Sequence, residues 1–204
     1  MNRNILIAGV GGQGIITAGA ILAGAATASG FRTVMSEIHG LSQRGGSVLV
    51  EVRIGEAYSP ITPQGRADVM IGFEPLETLR YLKRCSPDCK VVMSSIRTYP
   101  VYLGLHRLKY PSDQEILEAL SKYSALRVNP AELFDFQVDM RPVNVLILGV
   151  ASGWGILEIE PQSITDEIKR RFSGKNLSRN MDAFNAGYRH GAVKAEQVAQ
   201  RIER

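Results

Sequence analysis

The N-terminal segment runs from a short, largely apolar stretch into a glycine-rich loop and then into a helix-forming stretch. Asn4–Ala8 is bounded by glycine and has the composition of a strand buried on both faces of a parallel sheet. The loop Gly9–Gly14 has the spacing G-x-G-x-x-G. Ile15–Ala28 predicts a helix of small and aliphatic residues, closed by Gly30, that packs closely on the sheet. The chain is therefore expected to begin as a β–loop–α unit of an α/β fold.

The Gly9–Gly14 loop has two interpretations. Its glycines let the backbone approach a phosphate group, whose charge is favoured by the N-terminus of the following helix. Alternatively, they only permit a tight turn and close contact between helix and sheet. A dinucleotide-binding domain also needs an acidic residue about 20 residues further on, and the only candidate, Glu37, lies later than that. Both interpretations stay open.

A second polar loop follows the predicted strand Phe31–Ser36. Residues 37–46 lack helical and strand periodicity, and they end on Ser42-Gln-Arg-Gly-Gly46, which brings a hydroxyl, an amide and a guanidinium next to two glycines. Loops at the carboxyl ends of strands in an open α/β sheet converge on one crevice, so we expect this loop to face the first one. Arg44 would then clamp a phosphate or carboxylate with two hydrogen bonds; the alternative is a purely surface role.

The middle of the chain supplies the remaining strands of the sheet. Ser47–Arg53 and Ala57–Ile61 are strand-like and are separated by Gly55-Glu56, which predicts a tight hairpin and hence a mixed sheet. Ala67–Phe73 and Lys90–Ser94 have the apolar composition of two further buried strands.

Helices alternate with these strands. Pro75 opens a predicted helix between the two buried strands, and Ser112-Asp-Gln-Glu115 has the capping-box spacing that starts another. Ala125–Asn129 follows as a short strand. This alternation predicts a three-layer, Rossmann-like α/β sandwich with a mixed sheet.

The C-terminal third is predicted to be helical. Val143–Ser152 and Pro161–Phe172 form two of its helices, and a long amphipathic helix extends from Ser178. Apolar residues recur on this last helix at steps of three and four, which predicts a packing seam, either inside this chain or against another one. The seam residues are Met181, Phe184, Tyr188, Ala192, Ala195, Ala199 and Ile202. We expect one domain over residues 1–204, with a helical C-terminal extension from about residue 161.

Composition narrows the class of protein. The 204 residues are 45% hydrophobic and 22% charged, as in folded soluble domains. The apolar run Val143–Gly153 is about half of the roughly 20 residues that a helix needs to cross a bilayer. No secretory signal pattern is present, the three histidines are too scattered for a metal site, and Cys85 and Cys89 are too few to hold an iron–sulfur cluster. We expect a cytoplasmic protein with two ordinary reduced thiols.

The positive charge is concentrated at the C-terminus. The formal net charge is +4, and Lys169–Arg204 carries nine Lys and Arg against three Asp and Glu. This basic segment suits a nucleotide-bearing cofactor or an acidic partner protein, and it suits a solvated helix face equally well. Nucleic acid is not favoured, because the segment lacks interleaved aromatic residues that stack on bases.

Three segments together resemble a known family. They are Ile7–Gly14, Glu37–Ser47 and Asn176–Gly187. The combination is similar to the gamma-type subunits of 2-oxoacid:ferredoxin oxidoreductases, and most closely to the small (beta) subunits of the indolepyruvate enzymes. The similarity extends from about Asn4 to Gly191, so it covers nearly the whole chain as a single gamma-type domain.

The resemblance implies a role in a multisubunit enzyme. Such enzymes decarboxylate a 2-oxoacid on thiamine diphosphate, pass electrons through iron–sulfur clusters to ferredoxin and release an acyl-CoA. This chain lacks the family's G-D-G…N thiamine motif and its cysteine-rich cluster motifs, so a large partner subunit is expected to hold those cofactors. We expect the chain to be inactive alone, with a homodimer as a further possibility.

The resemblance also implies contacts with coenzyme A as co-substrate. The matching positions are Gly11, Gly12, Gln13 and Gly14 in the first loop and Ser42, Gln43, Arg44, Gly45 and Gly46 in the second. Backbone amides at a helix terminus and an arginine suit the phosphates of that molecule. The alternative function is a stand-alone Rossmann-type nucleotide-binding protein or a small NAD(P) or flavin reductase.

Overall fold

A six-stranded mixed sheet forms the centre of the molecule. The computed structural model describes residues 2–40, 45–99, 109–136 and 140–202, and side chains as far as Gln197. The strands run in the spatial order β2-β3-β1-β4-β5-β6, and only β3 is antiparallel to its neighbours. They are β1 (Arg3–Val10), β2 (Thr33–His39), β3 (Ser47–Ile54), β4 (Ala67–Gly72), β5 (Cys85–Ser94) and β6 (Ser124–Val128). The predicted mixed sheet is thus confirmed.

Helices cover both faces of this sheet. The described part of the chain contains α1 (Ile15–Ala28), α2 (Pro75–Tyr81, continued by a 3-10 turn at Leu82–Arg84), α3 (Asp113–Leu120), α4 (Pro130–Leu133), α5 (Val143–Gly153), α6 (Pro161–Arg171) and α7 (Gly174–Ile202). The predicted bounds of α1 are confirmed, and Ser112 and Glu115 form the predicted capping box at the start of α3. No described helix has both the length and the apolar character needed to span a bilayer.

The two faces of β1 show why the fold has three layers. Ile5 and Ile7 point into a core shared with α1, α5, α6 and α7, whereas Leu6 and Ala8 point into a second core shared with α3 and the end of α2. All four side chains are fully buried. A continuous apolar run suits such a strand, because alternate side chains enter different cores and neither face meets water. The predicted three-layer sandwich is confirmed.

Ala57–Ile61 was predicted to be a strand, and this is wrong. The segment is irregular and is held by side chains instead of a strand ladder: Arg53 Nη1 donates to the carbonyl oxygens of Ser59 at 2.7 Å and Ile61 at 3.2 Å. β3 instead pairs antiparallel with β1 on one side and with β2, the strand that precedes it in the chain, on the other. The second polar loop, not Gly55-Glu56, therefore connects the antiparallel strands β2 and β3.

Three other elements have an end that differs from its prediction by more than two residues. β2 begins at Thr33 and continues to His39, β5 begins at Cys85 instead of Lys90, and α7 begins at Gly174 instead of Ser178. Cys85 and Cys89 are buried, free strand residues. These shifts enlarge the predicted elements without changing their order.

Helices α5 and α7 are packed backbone to backbone. A Cβ atom added at Gly149 or Gly153 of α5 would lie 2.0–2.3 Å from a carbonyl oxygen of α7, and one added at Gly187 or Gly191 would lie 2.1–2.2 Å from a carbonyl oxygen of α5. The predicted seam faces this interior: Phe184 is 2% exposed, and Met181, Tyr188 and Ala195 pack against the same core. Side chains of Ala199 and Ile202 lie outside the described residues. The intrachain interpretation of the seam is confirmed for its described part.

Candidate functional site

The two glycine loops meet at one edge of the sheet. Because β1, β2, β4, β5 and β6 run in the same direction, the loops after them open at the same edge, where β3 also begins. The Gly11 N–H donates to the Gly46 carbonyl oxygen at 2.8 Å and so joins the two loops. Ser42, Gln43 and Arg44 lie outside the described residues. The ligand-binding role of the loops stays a prediction.

The first loop requires glycine at two positions, and one of them is required for two reasons. Gly12 (φ 103°) and Gly14 (φ 74°) both have left-handed backbone conformations that side chains rarely adopt. Gly14 is also crowded, since a Cβ there would lie 2.4 Å from the Asn144 Nδ2 atom. It is the N-cap of α1 and provides no side-chain cap. The first N–H groups of any helix have no acceptor within it. Because no side chain caps α1 either, these N–H groups are available to an anion.

The Gln13 side chain is used inside the fold. Its Oε1 accepts from the Val10 N–H at 2.8 Å, and its Nε2 donates to Thr98 Oγ1 at 3.2 Å and to the Phe73 carbonyl oxygen at 3.4 Å. These contacts join the first loop to the ends of β4 and β5. They favour a positioning role for Gln13 over direct ligand contact by its amide.

A cavity of about 530 Å³ opens beside the first loop. Arginine and amide side chains line it together with apolar ones, and no carboxylate lines it within the described part of the chain. The lining residues are Gly12, Gln13, Gly14, Thr17, Phe73, Ile96, Thr98, Met140, Arg141, Pro142, Val143, Asn144, Phe172, Asn176, Arg179 and Asn180. Gly11, Gly45 and Gly46 are not among them. Arg141 and Arg179 bring two guanidinium groups to the cavity wall, and such groups suit an anionic ligand.

The far wall of the cavity comes from the C-terminal third. Asn144 Nδ2 donates to the Gly14 carbonyl oxygen at 3.1 Å, which joins α5 to the start of α1. Asn176, Arg179 and Asn180 lie at helical steps of three and four near the start of α7, and Asn180 Nδ2 donates to the Asn176 carbonyl oxygen at 2.8 Å. Arg179 is held by the carbonyl oxygen of Asp135 at 2.9 Å. The cavity therefore lies between two rigid helices and the first loop.

Our site prediction missed these wall residues. They lie more than 120 residues after the first loop in the chain, and no local motif connects them to it. A usable signal was present in the segment Asn176–Gly187, which carries part of the family resemblance and places three polar side chains on one helix face.

Glu37 does not support a dinucleotide site. It lies on the exposed end of β2, its carboxylate is 3.2 Å from the His39 Nε2 atom, and it does not line the cavity. The ribose-binding carboxylate of a Rossmann dinucleotide site would have to face the ligand crevice.

A fully buried carboxyl group, Glu74, adjoins the cavity. It caps α2 by accepting from the Glu77 N–H at 2.9 Å, and it also accepts from the Thr98 N–H at 3.4 Å and from the Tyr110 hydroxyl. Burial raises the pKa of Glu74 above its ordinary value, although these three hydrogen bonds act in the opposite direction. Burial and Glu74 also raise the pKa of Tyr110.

We expect Glu74→Gln to change how stability depends on pH. A carboxyl group whose pKa is raised by folding stabilises the fold fully below its unfolded pKa, near 4.5, and loses that contribution as the pH rises through the folded pKa. The wild type should therefore lose stability relative to Glu74→Gln as the pH rises above about 4.5, as measured by urea unfolding. Glu115→Gln serves as control. Hydrogen bonds from Ser112 lower the pKa of Glu115, so its contribution is lost only as the pH falls below about 4.5, and the wild type and this variant should have parallel profiles above that pH. Parallel pH profiles for wild type and Glu74→Gln would contradict the prediction.

Comparisons with known proteins agree over most of the chain. A family model described as pyruvate ferredoxin/flavodoxin oxidoreductase matches residues 4–190. The "Indolepyruvate oxidoreductase subunit IorB" of Archaeoglobus fulgidus is 35% identical over 190 residues, which are 92% of this chain and 94% of the relative. The protein of the same name from Methanothermobacter thermautotrophicus is also 35% identical, over 92% of this chain and 97% of its own length.

Solved structures share the fold. The gamma subunit of a keto/oxoacid ferredoxin oxidoreductase from Geobacter sulfurreducens has a TM-score of 0.68 at 21% identity, over 94% of this chain and 99% of its own. A 2-oxoglutarate:ferredoxin oxidoreductase from Magnetococcus marinus, solved with 2-oxoglutarate, coenzyme A and succinyl-CoA bound, has a TM-score of 0.73 at 17% identity. The match covers 94% of this chain and 31% of the larger Magnetococcus marinus chain.

Proposed function

Because the chain belongs to the pyruvate ferredoxin/flavodoxin oxidoreductase family, we propose that it acts as the small, gamma-type subunit of an indolepyruvate or other arylpyruvate:ferredoxin oxidoreductase. In this role it assists the oxidative decarboxylation of the 2-oxoacid to an acyl-CoA, with ferredoxin as electron acceptor. The observation that carries the proposal is the 35% identity to named indolepyruvate oxidoreductase subunits over almost their entire length. The match covers 94% and 97% of the two relatives' own lengths.

The redox and thiamine chemistry is assigned to a larger partner subunit. Among the described residues, no group of three or more His, Cys, Asp or Glu side chains is arranged to hold a metal ion. Cys85 and Cys89 are buried on one strand, and a cluster takes about four thiolates. The cavity also lacks an acidic, histidine or cysteine side chain in the described part of the chain. These residues do not fit an iron–sulfur cluster, so this subunit contributes binding surface.

Coenzyme A is the proposed ligand of the cavity edge. Its phosphates suit Arg141, Arg179 and the N–H groups at the start of α1. A volume of about 530 Å³ lies within the usual range of roughly 300–1,000 Å³ for ligand pockets. The sequence-predicted residues of both glycine loops, Arg44 included, remain part of this proposed site.

Exposed apolar side chains at the same edge support contact with the partner there. Ile16 in the first turn of α1 is 40% exposed, Tyr99 beyond β5 is 66% exposed and Met140 at the cavity is 52% exposed. Large exposed apolar side chains beside a cavity are typical of an interaction surface. The ligand would then lie between this chain and the thiamine-bearing subunit.

Reconstitution tests the proposed function. The chain is expressed alone and with the large subunit, and CoA-dependent reduction of ferredoxin by indolepyruvate is measured. We expect turnover only in the complex. Tight binding of NAD(P) or a flavin by the lone chain, with turnover of a substrate, would instead support a stand-alone Rossmann-type reductase.

A second prediction addresses the cavity arginines. We expect Arg141→Gln or Arg179→Gln to raise the KM for coenzyme A in the complex about tenfold, since hydrogen bonds to charged groups contribute about 1.5–3 kcal/mol each. Arg189→Gln, on the exposed side of α7, is the matched control and should leave this KM unchanged. Equal KM values for all variants would remove the cavity from the coenzyme A site.

A further inference from the structure

A buried carboxylate, Glu77, contacts Ser47, the first residue after the second glycine loop. Glu77 is on α2, and its side chain is fully buried. Its Oε2 atom accepts a hydrogen bond from Ser47 Oγ at 2.5 Å and lies 3.1 Å from Arg80 Nε. The Ser47 hydroxyl is also 3.1 Å from the Tyr81 hydroxyl. Glu77 and Tyr81, one turn apart at the end of α2, therefore hold the Ser47 side chain in place.

Ser47 lies next to the point where the two glycine loops are joined. It is the first residue of β3, directly after Gly45 and Gly46. Its carbonyl oxygen accepts from the Gly40 N–H at 2.8 Å, so it closes the base of the loop. Its neighbour Gly46 accepts from the Gly11 N–H at 2.8 Å, which ties the loop to the first one. The position of Ser47 thus sets where both glycine loops meet.

Fold stability alone gives little reason for a carboxylate here. A buried charge carries a large desolvation cost, which an apolar side chain of similar volume would avoid. The helix α2 is already capped by Glu74 and started by Pro75. Moreover, the Glu77 Oε1 atom is buried without a hydrogen-bond partner among the residues that the structure describes. Buried polar atoms without a partner are rare in folded proteins, so this one calls for an explanation.

We propose that Glu77 is a positioning residue that acts through Ser47 and its neighbour Gly46 to fix Gly11, and with it the first glycine loop, at the edge of the proposed coenzyme A cavity. This inference rests on the proposed function of the chain as a subunit of a 2-oxoacid:ferredoxin oxidoreductase. The charged acceptor holds Ser47 more tightly than a neutral one would. Glu77 itself does not line the cavity.

The test uses the reconstituted complex with Glu77→Gln, Ser47→Ala and the double variant. We expect each single variant to lower kcat/KM for coenzyme A about tenfold, with the KM for the 2-oxoacid unchanged, because a weakened charge-assisted contact affects only the loops. The double variant should be no worse than either single one, because both remove one contact. Lys83→Gln, exposed just beyond α2, is the control and should match the wild type.

The outcomes separate this inference from the proposed function. An inactive wild-type complex would contradict the proposed function itself. An active wild-type complex with unchanged coenzyme A kinetics in both single variants would overturn only the role of Glu77. If Glu77→Gln fails to fold, Ser47→Ala alone decides between the two results. A lower melting temperature with both substrates affected equally would assign Glu77 a structural role and also overturn the inference.

Discussion

Gly187→Ala is expected to lower the free energy of unfolding by about 3 kcal/mol, at the upper end of what overpacking costs. The added Cβ would lie 2.1 Å from the Leu146 carbonyl oxygen, which belongs to the backbone of α5 and cannot rotate away. The two helices would have to separate and lose contacts along their length. In a domain of this size the melting temperature should fall by roughly 6–12 °C, as measured by calorimetry alongside urea unfolding.

Asn185→Ala on the same helix is the matched control. Asn185 is exposed, and alanine is the better helix former by up to about 0.7 kcal/mol. The control should therefore be unchanged or slightly more stable. If Gly187→Ala behaved like this control, α5 and α7 could not be in backbone contact. The contrast separates helix propensity, which favours alanine at both positions, from interhelical contact, which forbids it at one.

The packing of these two helices also shows what periodicity in the sequence can and cannot predict. Apolar spacing on α7 indicated a seam, and Phe184 does enter the core. The close approach, however, is at glycines. Gly187 and Gly191 lie against the α5 backbone, and Gly149 and Gly153 lie against the α7 backbone. Glycines contribute little to a hydrophobic pattern, so the backbone approach became visible only when both helices were placed together.

The sheet was predictable where local and tertiary signals agree. The strand β1 is an uninterrupted apolar run because it is buried on both faces, and the glycines after it mark the turn into α1. Ala57–Ile61 shows the opposite case, since its backbone carbonyl oxygens at Ser59 and Ile61 accept hydrogen bonds from the Arg53 side chain instead of a neighbouring strand. β-Propensity reports a fit to a half-buried surface, and such surfaces also occur outside strands.

The candidate site was predictable only in its first half. The parallel direction of most strands brings the loops after β1 and β2 to one edge, and the bond between Gly11 and Gly46 joins them there. The opposite wall, with Asn144 and Arg179, depends on how the C-terminal helices dock onto α1. That docking depends on side-chain shape and close backbone contact, which a single sequence does not express as a local pattern.

A buried ion pair between Glu51 and Arg84 holds the irregular segment after β3 in place through Thr62. The Glu51 carboxylate is fully buried, and Arg84 binds it with two hydrogen bonds of 2.9 Å each. Thr62 completes the arrangement, because its N–H donates to Glu51 at 2.6 Å and its carbonyl oxygen accepts from Arg84 at 2.7 Å. β3, the irregular segment and the turn after α2 therefore meet at a single buried charge.

We expect Arg84→Met to destabilise the fold by about 3–5 kcal/mol, because it leaves the Glu51 charge buried without its partner. Adding Glu51→Leu should restore most of this loss, since a buried pair replaced by apolar residues of similar volume is often neutral. Lys169→Met is the control: its 2.9 Å pair with Asp166 is about half exposed, so its loss should cost less than about 1 kcal/mol. Urea unfolding at neutral pH measures all three. A double variant as unstable as Arg84→Met would mean that the guanidinium stabilises the segment through Thr62 instead of neutralising Glu51.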